Sequence, residues 1–205
     1  MDRMVRHALV LANSPLSDAR MASPHTPAQP QVTRLADAFE RSVTALFTAE
    51  FQRIFRVIHR LSGDADAASD IVQDAFVRLY GRGALPDAPV AWLVTVALNL
   101  WRNQRSNEAR RTDLLHRRFG AASDTTDAAP GADAAIVAEE SIRQVRRTLA
   151  RLSVQQAELL LLSVEGYSYR EMSLALGIRE TSVGSLLLRA RVAFRQHHEA
   201  PHDAS

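Results

Sequence analysis

The 205 residues suffice for one domain or two small ones, and a make-up of 46% hydrophobic and 23% charged residues is that of an ordinary soluble globular protein. All 25 basic residues are arginine, so the pI of about 9.6 reflects a lack of groups titrating between histidine and arginine, the formal charge being only +2. The absence of cysteine excludes a disulfide framework, a thiol nucleophile and a zinc–thiolate site, and fits a cytosolic setting; no stretch approaches the roughly 20 apolar residues that would insert in a membrane.

Residues 1–33 hold four of the eight prolines, Pro15, Pro24, Pro27 and Pro30, among small and polar residues. Such a composition cannot bury enough surface to order itself, so it reads as a disordered leader, with Met21 as an alternative start. Arg3 and Arg6 ahead of a short apolar run faintly resemble a signal peptide, but Asn13, Ser14 and Pro15 break the run too early. From Leu35 the pattern turns helical: Phe39, Val43, Leu46 and Phe47 form one stripe, and Phe51, Ile54, Phe55, Ile58 and Leu61 the next, up to Ser62, Gly63 and Asp64. Asp64 and Asp66 suit the N-terminus of a second helix, along which Ile71, Val72, Ala75, Phe76 and Leu79 recur until Gly81 and Gly83. A loop stiffened by Pro86 and Pro89 follows, then a helix from about Ala91 through Trp92, Leu93, Val96, Leu100 and Trp101 into an arginine-rich stretch.

Residues 120–135 are small, polar and turn-forming and read as a flexible linker. A second helical domain then starts near Ile136 with Ile142, Val145, Leu149 and Leu152, and continues through Ala157, Leu159, Leu160, Leu161 and Val164 to a turn at Gly166. Beyond it, Ser168 and Glu171 have the spacing of a capping box, and Met172, Leu174, Ala175 and Leu176 supply an apolar face. Gly177 ends that helix, and another runs to about Arg195 with Val183, Leu186, Leu187, Ala190, Val192 and Phe194 as its apolar residues and Arg189, Arg191 and Arg195 as its cations. This is a helix-turn-helix pattern whose second helix fits a major groove. The competing reading of this segment alone is a plain helical hairpin with solvated arginines.

No segment alternates as a strand does, so the fold class is all-α: two small helical domains joined by a linker. Charge divides along the same lines. Residues 36–80 carry five arginines against seven carboxylates, residues 92–118 six against two, and residues 142–195 nine against four. Two basic blocks suit two separate contacts with nucleic acid. An enzyme reading finds little: the seven histidines are scattered, no carboxylate pair or phosphate-cradling glycine loop stands out, and His197, His198 and His202 lie in a polar tail where a solvated terminus is the simpler reading than a metal set.

Three pieces in order and spacing carry a family resemblance: residues 61–80, residues 91–100 and the helix-turn-helix. Residues 46–107 and 142–195 together resemble the extracytoplasmic-function sigma factors of bacterial RNA polymerase, which are reduced to sigma domains two and four. The resemblance implies a sigma domain two over 34–107, a linker over 108–138, a sigma domain four over 139–198 and a tail over 199–205. It also implies that Asp70, Gln73, Asp74 and Arg78 dock on the clamp of the largest subunit of core RNA polymerase, a role their i, i+3, i+4, i+8 spacing on one helix face allows. Opening of the −10 element falls to Asn99, Trp101, Arg102, Asn103 and Arg105, which combine cations with amide and planar groups suited to unpaired bases; Trp92 is expected in the core.

The −35 element falls to Arg179, Glu180, Thr181, Ser182 and Ser185, with Arg189, Arg191 and Arg195 on phosphates. Two departures from the family pattern stand out. Gly184 and Leu186 occupy positions where many members carry a cation, and residues 81–86 replace the aromatic-Arg-Gly stretch common before Trp92. The implied partners are core polymerase, promoter DNA and an antisigma factor, with no cofactor and no catalytic residue. The alternatives are an operator-binding regulator and a polymerase-binding protein that does not open promoters; a plain repressor has no reason to pair the residue 70–78 face with the residue 92–105 helix.

Overall fold

The computed structural model describes residues 29–119 and 133–199, and every regular element among them is helical. Helix α1 spans Gln29–Ser62, α2 Ala65–Gly81, α3 Pro89–Phe119, α4 Asp133–Ala150, α5 Val154–Val164, α6 Tyr169–Leu176 and α7 Glu180–Glu199.

In the N-terminal unit, α1 lays its apolar stripe against α2 and α3, burying Ile54, Val57 and Ile58 among Ile71, Val72, Phe76, Leu79, Leu93, Ala97 and Leu98. Phe47 sits 4.8 Å from Phe51 and 5.0 Å, edge-on, from Phe76, so the aromatic residues close one end of the core. Gly63 turns the chain at φ 79°, and the Asp64 carboxylate then accepts from the amides of Asp66 and Ala67 at 2.9 and 3.0 Å. That cap sets the start, and hence the rotation, of α2. Trp92 is half-buried, with the Arg82 guanidinium 5.3 Å from its ring centre.

The C-terminal unit is four helices around Leu159, Leu162, Tyr167, Met172, Val183 and Leu187. Capping boxes start two of them. Ser153 and Gln156 exchange bonds at α5, and Ser168 and Glu171 do so at α6, which Gly177 ends in the left-handed region at φ 65°.

Several boundaries differ from the sequence reading. Helix α1 starts at Gln29 rather than Leu35, with Pro30 in its first turn, where a missing amide costs nothing. Both ends of the expected 108–138 linker are helical, α3 continuing to Phe119 and α4 starting at Asp133, because arginine, alanine, leucine and glutamate favour a helix. Residues 1–28, 120–132 and 200–205, which include most of the expected leader, Met21, the middle of the linker and His202, lie outside the described residues. Ile142, Val145, Leu174 and Val192, expected on apolar faces, are exposed at 54%, 37%, 50% and 38%, since α4, α6 and α7 present other sides to the core.

The two units pack on each other, α3 against α6 and α1 against α5. The Thr95 hydroxyl donates to the Ala175 carbonyl at 3.3 Å across this junction.

Candidate docking and nucleic-acid interfaces

The capped start of α2 turns Ala68, Ile71, Val72, Ala75, Phe76 and Leu79 inward. The opposite face holds Asp70, Gln73, Asp74 and Arg78, all exposed. Gln73 donates to the Ser69 hydroxyl at 3.0 Å, while Asp70, Asp74 and Arg78 make no ion pair among the described residues. Val77 stands among them at 57% exposure. Sequence reading passed over this valine, although its spacing from Asp70, Gln73 and Asp74 puts it on the same stripe. A polar, unpaired face with one apolar side chain at its centre is a surface suited to a protein partner. Asp70 and Asp74 also line a shallow groove against Leu100, Gln104, Asn107, Glu108 and Arg111 of α3.

On α3 the structure divides the residues expected at the −10 element. Asn99, Asn103 and Arg105 are exposed. Trp101 is buried at 5% exposure with the Arg105 guanidinium 5.6 Å from its ring, so it packs in the core in this arrangement rather than facing a base. Arg102 points to the other unit. It donates through Nε to Oε1 of Glu158 at 2.8 Å and through NH2 to Oε2 at 2.6 Å, and its NH1 donates to Oδ1 of Asn99 at 2.9 Å. Glu158 is only 1% exposed.

On the helix-turn-helix, Val183, Leu187 and Ala190 turn into the core, which leaves Arg179, Glu180, Thr181, Ser185, Arg189, Arg191 and Arg195 outward and Ser182 half-buried. Ser185 is tied to the helix by donating to the Ser182 carbonyl at 3.0 Å, and Arg191 donates to the Ser163 hydroxyl at 3.3 Å. Leu188 lies on the outer surface at 60% exposure, an apolar side chain the sequence reading did not single out for this face. A Cβ on Gly184 would lie 3.6 Å from Cε2 of Tyr169, an ordinary contact, so α7 has room for a larger residue there.

A further set of polar contacts joins the units. Arg53 donates through Nε and NH2 to the Glu165 carbonyl at 3.2 and 3.1 Å, while Arg56 and Arg60 reach its carboxylate at 2.7 and 2.5 Å. The hydrogen bond to Glu165 holds the Arg56 guanidinium above its ordinary pKa. Arg53 also pairs with Glu50 at 2.8 Å and covers the Tyr167 ring at 4.2 Å. Burial, reinforced by the Glu50 charge, raises the pKa of the Tyr167 phenol, which stays protonated and donates toward Glu50 at 3.5 Å. The contacts that cross between the units join residues too far apart in sequence to leave a periodic signal, so they were not legible beforehand.

No group of three or more metal-ligating side chains is found among the described residues, and no helix among them is long and apolar enough to cross a membrane.

Comparison with known proteins addresses the two units separately. Residues 46–111 match the family model for sigma-70 region 2, and residues 142–194 match that for sigma-70 region 4. The chain is 30% identical over 135 residues to the ECF RNA polymerase sigma factor EcfG of Rhodopseudomonas palustris, covering 64% of this chain and 71% of that protein. It is 32% identical over 154 residues to the ECF RNA polymerase sigma factor SigM of Mycobacterium tuberculosis, covering 71% and 73%. Among solved structures, the sigma factor RpoE in complex with the anti-sigma factor NepR from Bartonella quintana is similar in fold, with a TM-score of 0.55 at 20% identity over 81% of this chain and 99% of that one. With both regions matched in order, the chain belongs to the extracytoplasmic-function sigma factors of the sigma-70 family, proteins that bind core RNA polymerase and direct it to promoter DNA.

Proposed function

We propose that the two units divide promoter recognition in the way the family pattern implies. Residues 34–107 form sigma domain two, residues 139–198 form sigma domain four, and residues 108–138 connect them. Asp70, Gln73, Asp74 and Arg78 dock on the clamp of the largest polymerase subunit. The observation that carries this is their shared, exposed face on α2, with no intramolecular ion pair to Asp70, Asp74 or Arg78 among the described residues. Asn99, Asn103 and Arg105, together with Arg102 once it is released from Glu158, hold the separated −10 strand, where cations track the backbone and amides pair with exposed base edges. Trp101 joins them only if α3 repacks. Arg179, Glu180, Thr181, Ser182 and Ser185 read the −35 duplex, and Arg189, Arg191 and Arg195 hold its phosphates.

The protein acts by binding and carries no catalytic residue; its family is generally non-enzymatic. Its place of action is the cytoplasm, where core polymerase is. An antisigma factor is a further expected partner, supported by the fold likeness to RpoE in its complex with NepR.

The test is run-off transcription with purified core polymerase and the DNA upstream of the protein's own gene, comparing wild type with Asp74→Arg. Charge reversal at a hot-spot position of a docking face costs about 2 kcal/mol, roughly 30-fold in affinity. Asp74 is exposed, so the change should leave the fold within about 0.5 kcal/mol of wild type. A promoter-specific transcript lost in the variant supports the assignment. Core binding without a transcript favours a polymerase-sequestering protein, and absence of core binding refutes the docking face.

A further inference from the structure

The outward face of α7 is neutral at its centre and cationic at its edges. At about 100° per residue, Thr181, Ser185, Leu188 and Val192 fall within an arc of roughly 60°, opposite the buried Val183, Leu187 and Ala190. Arg189 stands on one side of that arc and Arg191 and Arg195 on the other, all exposed. Such a layout suits a helix lying in a groove between two phosphate strands. None of the four central side chains can make the paired hydrogen bonds by which arginine reads guanine, or asparagine and glutamine read adenine. Ser185 has already committed its hydroxyl hydrogen to the Ser182 carbonyl at 3.0 Å. The most prominent group at the centre is therefore apolar: Leu188, 60% exposed. One turn earlier on the same side, Gly184 leaves a recess bordered by the Tyr169 ring of α6, which lies 3.6 Å from where a Cβ would be and is itself 49% exposed. Its backbone is not left-handed and its neighbours leave room for a side chain, so nothing among the described residues requires glycine there. A bare stretch of helix backbone on an exposed face is a place where another molecule can approach closely.

We propose that the centre of α7 reads thymine through its C5-methyl group, with Leu188 as the specificity-determining side chain and the Gly184 recess as the clearance that lets a base edge reach it. The thymine methyl is the apolar group that base edges present in the major groove, so it is the one with which an exposed leucine can exchange water for a favourable contact. Guanine or cytosine at the same place would set acceptors or an amino group against Leu188, where they lose water and gain no partner. The arginines at the two edges hold phosphates whatever the sequence, and so leave the choice of base to the centre. The inference rests on the reading of α7 as the −35 helix and deepens it: the element this protein selects has A·T pairs where Leu188 meets the groove, in place of the guanines that a cationic centre would favour.

The experiment selects duplexes from a library with a random core, using the full chain at low salt, and then measures the enriched duplex by fluorescence anisotropy with each thymine replaced in turn by uracil, which lacks only the methyl. At one or two positions uracil should weaken wild-type binding about fourfold, the effect of one buried methyl. Leu188→Ala should bind the thymine duplex about fourfold more weakly and lose its sensitivity to uracil at the same position, so that the two losses do not add. Gly184→Leu, which fills the recess, should weaken the thymine duplex by at least as much. Leu188 is largely exposed, so circular dichroism should show the helicity of Leu188→Ala unchanged. Indifference to uracil at every thymine, a uracil effect that persists in Leu188→Ala, or a Gly184→Leu variant that binds as wild type overturns the proposal. A duplex that is enriched and then released by Arg189→Ala/Arg195→Ala, yet is indifferent to uracil, refutes methyl reading and leaves α7 as the −35 helix. If no sequence is enriched, the −35 reading fails and this proposal falls with it.

Discussion

Replacing Ser168 by alanine should lower stability without touching DNA affinity, and so separates the scaffold of the helix-turn-helix from its reading face. Helix α6 has eight residues, barely two turns, and too short to hold itself without help. Its start is fixed by three bonds: the Ser168 hydroxyl accepts from the Glu171 amide at 3.2 Å, and the Glu171 carboxylate accepts from the Ser168 amide at 2.7 Å and from its hydroxyl at 2.8 Å. Alanine deletes the first and third, leaving one helix amide without its cap. Such a loss costs about 1 kcal/mol, with 2 as an upper figure. For a unit of roughly 60 residues that lowers Tm by about 4–8 °C, measurable by circular dichroism. Met172, 1% exposed, and Ala175, 5% exposed, still anchor α6 to α7, so at 25 °C the folded population and its binding to a −35 duplex should be unchanged. A Tm shift below about 1 °C refutes the capping argument. A loss of duplex affinity beyond about threefold with Tm intact shows instead that Ser168 touches DNA.

Two further perturbations follow from single positions. Gly184→Ala should stabilise the chain by about 0.5–1 kcal/mol in urea unfolding, because a helix-interior glycine gives up backbone entropy and the added Cβ meets only Tyr169 at 3.6 Å; a destabilised variant refutes this. Tyr167 binds its proton more tightly folded than unfolded, so stability is full below the ordinary phenol value near 10 and falls above it, by up to about 1.4 kcal/mol per pH unit. Tyr167→Phe should flatten that decline between pH 10 and 11 in thermal unfolding, and an unaltered slope shows that the phenol does not carry it.

The elements legible in the sequence are those whose cause is local. Ser168 with Glu171, Gly177 and the acidic start of α2 act within one turn of chain, and the structure has all of them. Periodicity likewise marked the buried stripes of α1, α2 and α3, since each has a single apolar side to bury. It misled at Ile142, Val145 and Leu174, where apolar residues recur at helical spacing but the neighbouring helices cover a different side. The ends of α3 and α4 ran past the expected linker for a related reason: small and charged residues extend a helix that has already started, at little cost per residue.

The junction between the units depends on where chain segments far apart in sequence come to lie, and this decides what the candidate site presents to a partner. Arg102 was legible as a cation on a promising helix, but its carboxylate partner lies 56 positions away, and Glu165 lies more than 100 positions from the three arginines it gathers. Only a fold can bring such groups together. The consequence is physical: a basic residue count measures the charge a nucleic-acid surface can offer, whereas the pairing in the folded chain measures what is on offer before a partner arrives. In its proposed docking role the α2 face has no internal competitor among the described residues, so its affinity for polymerase should be insensitive to how the units sit. Arg102 does have one, so in its proposed −10 role it has to leave Glu158 before it can reach DNA.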